Sequence, residues 1–326
     1  MRKKQNDTPL TEVDAKRIRR NAYIKMAAMV GIVAALMAFG SIAWFTMNRE
    51  VEGSGVQMRA TGNNYMIKTA TGGSGGAYYN KYYSAIPGRD AAVWLVDENS
   101  NLKNNTDQGI KPGSKGKMTF YVVPLADEVQ LDFELQTIGH KAVENGNTVN
   151  MNVMSSNAGD PAYFLNGHLL LFEDKTGDYF SDLIPVDDNH KRIISRTFRK
   201  SDISTLGVDT DNDDKKDAFA VDIFWTWPET LSTIVNTGDA TIQLLCDPNV
   251  QVQAGEQNDY QQVLDFLTSH PAYFLKGYEA TTTITDSVLV NNYSDYGSLY
   301  DRADQDIGSE VHFVLLSMEA KENTNS

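Results

Sequence analysis

The chain of 326 residues carries 29 Lys and Arg against 43 Asp and Glu, a net charge of −14, with 41% hydrophobic residues and one cysteine. That balance excludes nucleic acid as the main partner, because a phosphate backbone demands clustered Lys and Arg, and a single cysteine excludes any intramolecular disulfide. It also disfavours an anionic membrane surface or wall polymer unless divalent cations intervene.

Charge is unevenly placed. Residues 1–25 hold eight Lys/Arg and three Asp/Glu, leaving 21 and 40 for the remainder. Met26 to Asn48 follows, MAAMVGIVAALMAFGSIAWFTMN, without a single charge. A helix rises about 1.5 Å per residue and the hydrocarbon core is about 30 Å thick, so this run is long enough to span a bilayer. It is apolar on every face, which argues against a core helix of a soluble protein. The positive-inside rule then predicts a basic cytoplasmic leader over 1–25, a signal or signal-anchor helix over 26–48, and an acidic ectodomain outside the cell membrane. Ser41-Ile42-Ala43 offers small residues where a signal peptidase reads, which would make Trp44 the first mature residue. A retained anchor is the competing reading, and both deliver the remainder to the cell surface or beyond it. About 280 residues are then enough for a sizeable core without staples, and an exported chain lacking disulfides suits a Gram-positive cell surface. The lone Cys246 reads as a small core residue.

Residues 49–76 are glycine-rich and read as brief strands and linker, including Val56 to Ala60 and Tyr65 to Ala70. The ectodomain proper, 77–326, is dominated by branched and aromatic runs bounded by Pro, Gly, Asn and Asp. Strands are predicted at Ala91 to Val96, Gly116 to Val123, Val129 to Gln136, Gly167 to Phe172, Asp217 to Trp227, Thr241 to Cys246, Glu279 to Val290 and Glu310 to Glu319. Their number predicts a mainly β fold of two packed antiparallel sheets, a β-sandwich, with one or two short helices. Asp202 to Leu206 reads as one helical turn, and Asn258 to Ser269 places Val263, Leu264 and Leu267 on one helical face. A short repeat stands out: Pro161-Ala-Tyr-Phe-Leu-Asn-Gly167 and Pro271-Ala-Tyr-Phe-Leu-Lys-Gly277 share six of seven residues. Asn166-Gly167 predicts a hairpin turn, and the repeat reads either as a twice-used turn element with core aromatics or as a pair of docking loops.

Catalytic motifs fail on context. Gly72-Gly73-Ser74-Gly75-Gly76 lacks the strand and helix that a nucleophile elbow requires. Ile110 to Gly116 has the wrong spacing for a phosphate loop. His140, His168, His190, His270 and His312 show no metal-binding spacing. The acidic run Asp209-Thr-Asp-Asn-Asp-Asp-Lys-Lys-Asp217 does carry chemistry. Asp209, Asp211, Asp213 and Asp217 fall at positions 1, 3, 5 and 9, the oxygen ordering of EF-hand-like calcium loops. Asp214 stands where glycine normally makes the turn and Ala220 where a bidentate Glu belongs, so a solvated acidic loop is the competing reading.

Ile42-Ala43-Trp44-Phe45-Thr46 with the strand Val56 to Ala60, the Ile110-Lys111-Pro112-Gly113 turn before Met118 to Val123, and the apolar run His312 to Met318 together resemble the TasA/camelysin family of Gram-positive surface fibre proteins. The middle of the chain carries no such likeness, and Met47-Asn48 departs from the acidic residue often found there. The resemblance implies a jelly-roll sandwich, a leader cut between Ala43 and Trp44 by a dedicated signal peptidase, and assembly into extracellular matrix fibres of the biofilm type. No residues support carrying over the metalloprotease activity given to some relatives. The sequence therefore predicts a non-enzymatic surface protein that self-associates, with Val56, Met58 and Ala60 on one face of a strand donated to a neighbour; the competing reading makes this segment the first strand of the chain's own sandwich. The alternative is a membrane-anchored domain that binds carbohydrate or another surface protein.

Overall fold

Strict two-residue alternation builds the clearest part of the structure. In Lys115–Pro124, Met118, Phe120 and Val122 are fully buried while Lys117, Thr119 and Tyr121 alternate with them on the wetter face, as expected of a strand with one face on a core. The computed structural model describes residues 57–58, 64–69, 80–85, 91–96, 110–145, 148–187, 189–210, 213–252, 257–279 and 283–323. The predicted membrane helix over 26–48 and the Ala43/Trp44 cleavage site lie outside the described residues. Among these residues no helix is long and apolar enough to cross a membrane.

Twelve strands are described: β1 (Gln57–Met58), β2 (Tyr65–Thr69), β3 (Asn80–Ala85), β4 (Ala91–Val96), β5 (Lys115–Pro124), β6 (Glu128–Asn145), β7 (Thr148–Val153), β8 (Leu170–Thr176), β9 (Tyr179–Leu183), β10 (Arg192–Arg199), β11 (Phe219–Thr226) and β12 (Phe313–Glu322). They form two antiparallel sheets. One runs β1-β2-β5-β11-β8-β9; the other runs β10-β6-β12-β4-β3, with β7 also paired to the far half of β6. The long β6 is the spine of the second sheet, holding β10 through Leu131↔Arg196 and β12 through Phe133↔Ala320. Side chains from both sheets share one core. Phe120 of β5 meets Phe133 of β6 edge-on at 4.9 Å, and Phe133 in turn meets Phe198 of β10 at 6.1 Å. Gly116 of β5 makes room for the buried Trp225 of the neighbouring β11, since a Cβ there would sit 2.4 Å from the Trp225 ring.

Five α-helices are described: α1 (Leu165–His168), α2 (Ile203–Leu206), α3 (Asp259–Ser269), α4 (Asp286–Asn291) and α5 (Tyr293–Glu310). Asn258 caps α3 by accepting the N–H of Gln261, and Val263, Leu264 and Leu267 are buried as their spacing predicts. A second hydrophobic cluster joins α3, α4 and α5 to Leu170, Phe172 and Phe180.

Several expected strands are corrected here. Thr241 to Cys246 runs as turns and bends, with the carbonyl of Leu245 accepting from Phe180 and its N–H donating to Thr233; its branched residues pack locally instead of forming a ladder. Glu279 to Val290 is not a strand among its described residues: Thr285 accepts the N–H of Val288 and starts α4. The expected strand from Gly167 begins only at Leu170. Asn166 and Gly167 lie within α1 and form no hairpin. Gly167 is there for close approach, because a Cβ would lie 2.7 Å from the Tyr273 carbonyl oxygen and 2.9 Å from the Phe274 ring.

Candidate functional site

The two repeat copies fold alike and meet. Each Pro-Ala-Tyr forms a 3-10 turn, Pro161–Tyr163 and Pro271–Tyr273, with proline at the start where a missing N–H costs nothing. The equivalent tyrosines Tyr163 and Tyr273 come together with ring centroids 4.9 Å apart. Phe164 and Phe274 are buried, so the reading of the aromatics as core holds for them, while Tyr163 remains partly exposed. The copies thus converge on one junction.

His190 closes one side of that junction. It adopts a left-handed φ of 60°, unusual for a residue with a side chain, in a turn where the Asp187 carboxylate accepts the N–H groups of Asn189 and Lys191. Its Nδ1 accepts from Asn166 Nδ2 and from the Tyr273 hydroxyl, both at 3.3 Å, which leaves the ring proton on Nε2. The second amide proton of Asn166 goes to the Tyr163 carbonyl.

Beneath lies a fully buried Arg192. Its guanidinium donates to Thr137 Oγ1 at 3.1 Å and to the carbonyls of Asn166 and Leu169 at 3.2 and 3.0 Å, while Nε has no partner. Burial pulls its pKa down to about 9, opposed by Tyr273. On the other side, His168 donates through Nδ1 to Asp304 at 2.6 Å and through Nε2 to the Phe274 carbonyl at 3.0 Å, with Tyr300 stacked on its ring at 4.2 Å. Asp304 also accepts from Trp227 Nε1 at 2.6 Å. Burial, then the Asp304 charge, raises the Tyr300 hydroxyl well above its ordinary range, and it donates to the Pro228 carbonyl.

A groove of about 440 Å³ opens over the junction, with Tyr163, Tyr273, His270, Tyr278 and Thr283 among its walls. A second groove of about 640 Å³, with Leu183, Pro185 and Asp265 among its walls, shares Thr268, Ser269 and His270. Ser269 and His270 lie 2.8 Å apart, and the Ser269 hydroxyl is also within reach of the carbonyls of Asp265 at 2.6 Å and Phe266 at 3.2 Å.

The acidic loop has found internal partners. Asp217 forms an ion pair with Lys68 of β2 and accepts from the Thr210 N–H and hydroxyl. Asp209 accepts the N–H of Asp214, itself at φ 64°, and Asp213 pairs with Lys215 at 3.3 Å. Asp211 lies outside the described residues. Among the described residues no three His, Cys, Asp or Glu are grouped as a metal would need. Of the assembly strand, Met58 pairs with Ile67 and Gln57 with Lys68 at the edge of the chain's own first sheet, whereas Val56 and Ala60 lie outside the described residues. The spacing of the acidic loop did not reveal the Lys68 partner, and no spacing brought His168, Arg192 and Asp304 together; the repeat was the one sequence signal that pointed to the junction. Comparison with models of known protein families, with curated proteins and with solved structures finds no match.

Proposed function

We propose that this chain is an exported surface protein whose ectodomain is a jelly-roll sandwich that joins copies of itself into extracellular fibres. The observation that carries the reading is the edge of the first sheet. Among the described residues β1 pairs with β2 through Gln57↔Lys68 and Met58↔Ile67 at the outer end of the sheet, the position where the same segment of another copy could add by its main chain. Beyond it, β2 is itself joined to β5 over five pairs, Tyr65↔Pro124 to Thr69↔Phe120, and would remain as the acceptor edge. The uncharged run over 26–48 and the basic leader before it support passage of this edge across a membrane, and the likeness to TasA/camelysin proteins supports assembly. Cleavage between Ala43 and Trp44 would release the segment, and a retained anchor would hold it at the membrane.

Electron microscopy of two mature forms tests the reading, one beginning at Trp44 and the other at Thr61, which lacks β1 but keeps β2. Fibres are expected from the first alone. Fibres from both, or from neither across a range of pH and concentration, would remove the donated strand.

A further inference from the structure

We propose that the groove over the repeat junction is a binding site for a short, uncharged glycan. This inference is independent of fibre assembly and rests on the groove's own chemistry. Its base is aromatic: Tyr163 and Tyr273 lie 4.9 Å apart, and the His270 ring stacks on Tyr273 at 5.4 Å with only 3° between the planes. Thr268, Ser269 and Thr283 border that base; the Thr268 and Ser269 hydroxyls donate to the Asp265 carbonyl, so what they offer a ligand is their lone pairs, as acceptors for its hydroxyl protons. Such a pairing of flat rings with convergent polar groups matches a ligand that has apolar C–H faces and a hydroxyl rim, as a pyranose does.

Charge narrows the class further. Among the described residues no Asp, Glu, Lys or Arg lines the groove, although the chain as a whole carries a net −14. A cationic ligand would find no carboxylate here. An anionic one would find no exposed cation, because Arg192 is 1% exposed and donates to Thr137, Asn166 and Leu169. The volume of about 440 Å³ falls within the range of sites for small molecules, about 300–1,000 Å³.

The site is also preorganised. Tyr273 is 5% exposed and its hydroxyl donates to His190, and Pro161 and Pro271 fix the starts of the two turns that present the tyrosines. A ligand would therefore meet the partly exposed rings of Tyr163 and His270, already held by the buried Tyr273 between them, which lowers the ordering cost of binding.

Saturation-transfer NMR on the full chain, held in a polyoxyethylene detergent that has no sugar headgroup, tests this with cellotriose, maltotriose, mannotriose and chitotriose as probes. At least one is expected to bind with a dissociation constant of about 1 mM. Ala272→Glu places a carboxylate in the groove from an exposed position, and Tyr278→Ala removes a partly exposed wall; each is expected to weaken binding about tenfold or more. Leu206→Ser, on exposed α2 away from the groove, is expected to leave it unchanged. Signal from none of the four, binding that survives both groove variants, or equal binding of trigalacturonate would overturn the proposal.

Discussion

The sheet core and the helical side solve the same problem by different means. Between the sheets, ladders satisfy the backbone, and the inward side chains are free to be wholly apolar, as with Leu131, Phe133 and Leu135 of β6 facing Met118 and Phe120 of β5. On the helical side, turns of three or four residues leave carbonyls that no ladder reaches. Polar side chains take over there. Arg192 serves the carbonyls of Asn166 and Leu169, His168 that of Phe274, and Tyr300 that of Pro228. Buried polar groups therefore gather where the backbone is irregular, and a groove with defined chemistry forms over them.

Removing one member from each region should break that contrast most visibly. Phe133→Ala deletes a ring that touches both Phe120 and Phe198 and should cost about 3–5 kcal/mol. Asp304→Ala leaves the His168 and Trp227 donors without their acceptor and should cost about 2 kcal/mol. Urea unfolding measures both, and native-state hydrogen exchange separates them. The Asp304 variant should lose protection mainly in α5 and around the Pro271–Tyr273 turn, with β5 and β6 little changed. Equal loss across β5 and β6 would mean that the two regions open as one unit.

The same contrast explains what the sequence made legible. Ala91 to Val96 matches β4 residue for residue, and β5, β11 and β12 were marked by alternation and flanking turns. Pairing β12 to β6 across 180 or so residues of chain leaves no local trace, so the register was hidden. The largest omission is α5. It fully buries Tyr300, Ala303 and Ile307 and half-buries Tyr293, Tyr296 and Leu299 against the same cluster, so a stripe at helical spacing was present, but Gly297, Gly308 and many Asp and Ser residues gave the segment a low helix propensity. Glu279 to Val290 misled in the opposite direction, since its Thr and Val residues suit strands, yet Thr285 serves as a helix cap. The junction was half legible: identical heptapeptides pointed to a shared turn, but His190, Arg192 and Asp304 reach it only through tertiary packing.

A smaller effect is expected from the ion pair that ties the acidic loop to β2. For Asp217, burial is the largest single influence and pushes the carboxyl up. The hydrogen bonds from Lys68 and Thr210 together outweigh it and hold the group below its ordinary range. Glu134 is lowered likewise, by Lys191 and Lys321. A carboxyl with a depressed folded pKa stabilises the fold above its unfolded value, near 4, and that stability is lost as pH falls through the folded value. The melting temperature should therefore decline below about pH 4, and Asp217→Asn should make the decline shallower. Calcium sharpens the point, because an ion in the predicted loop would compete with Lys68 for Asp217. Stabilisation by millimolar calcium over chelator should be larger in Lys68→Met than in the parent chain. An equal shift in both, or none in either, would remove the calcium loop.

The smallest perturbation uses Cys246 as a reporter of the helical side. It is 1% exposed, and burial, followed by the nearby Asp259 charge, pushes its thiol up to about 12. The thiolate is the reactive form, so the native protein should resist iodoacetamide at pH 8 for as long as the cluster of α3, Leu231, Ile234 and Val235 around it stays closed. Labelling should then proceed only through opening, at a rate set by the open population when closing is fast. If the helical side opens ahead of the sheets, labelling should accelerate in urea below the concentration that unfolds β5 and β6, and Asp304→Ala should accelerate it further while Phe133→Ala does so only near global unfolding. Rapid labelling in native buffer would show that the helical cluster does not close over the thiol. A urea dependence identical to global unfolding in all three chains would make the two regions one cooperative unit despite their different construction.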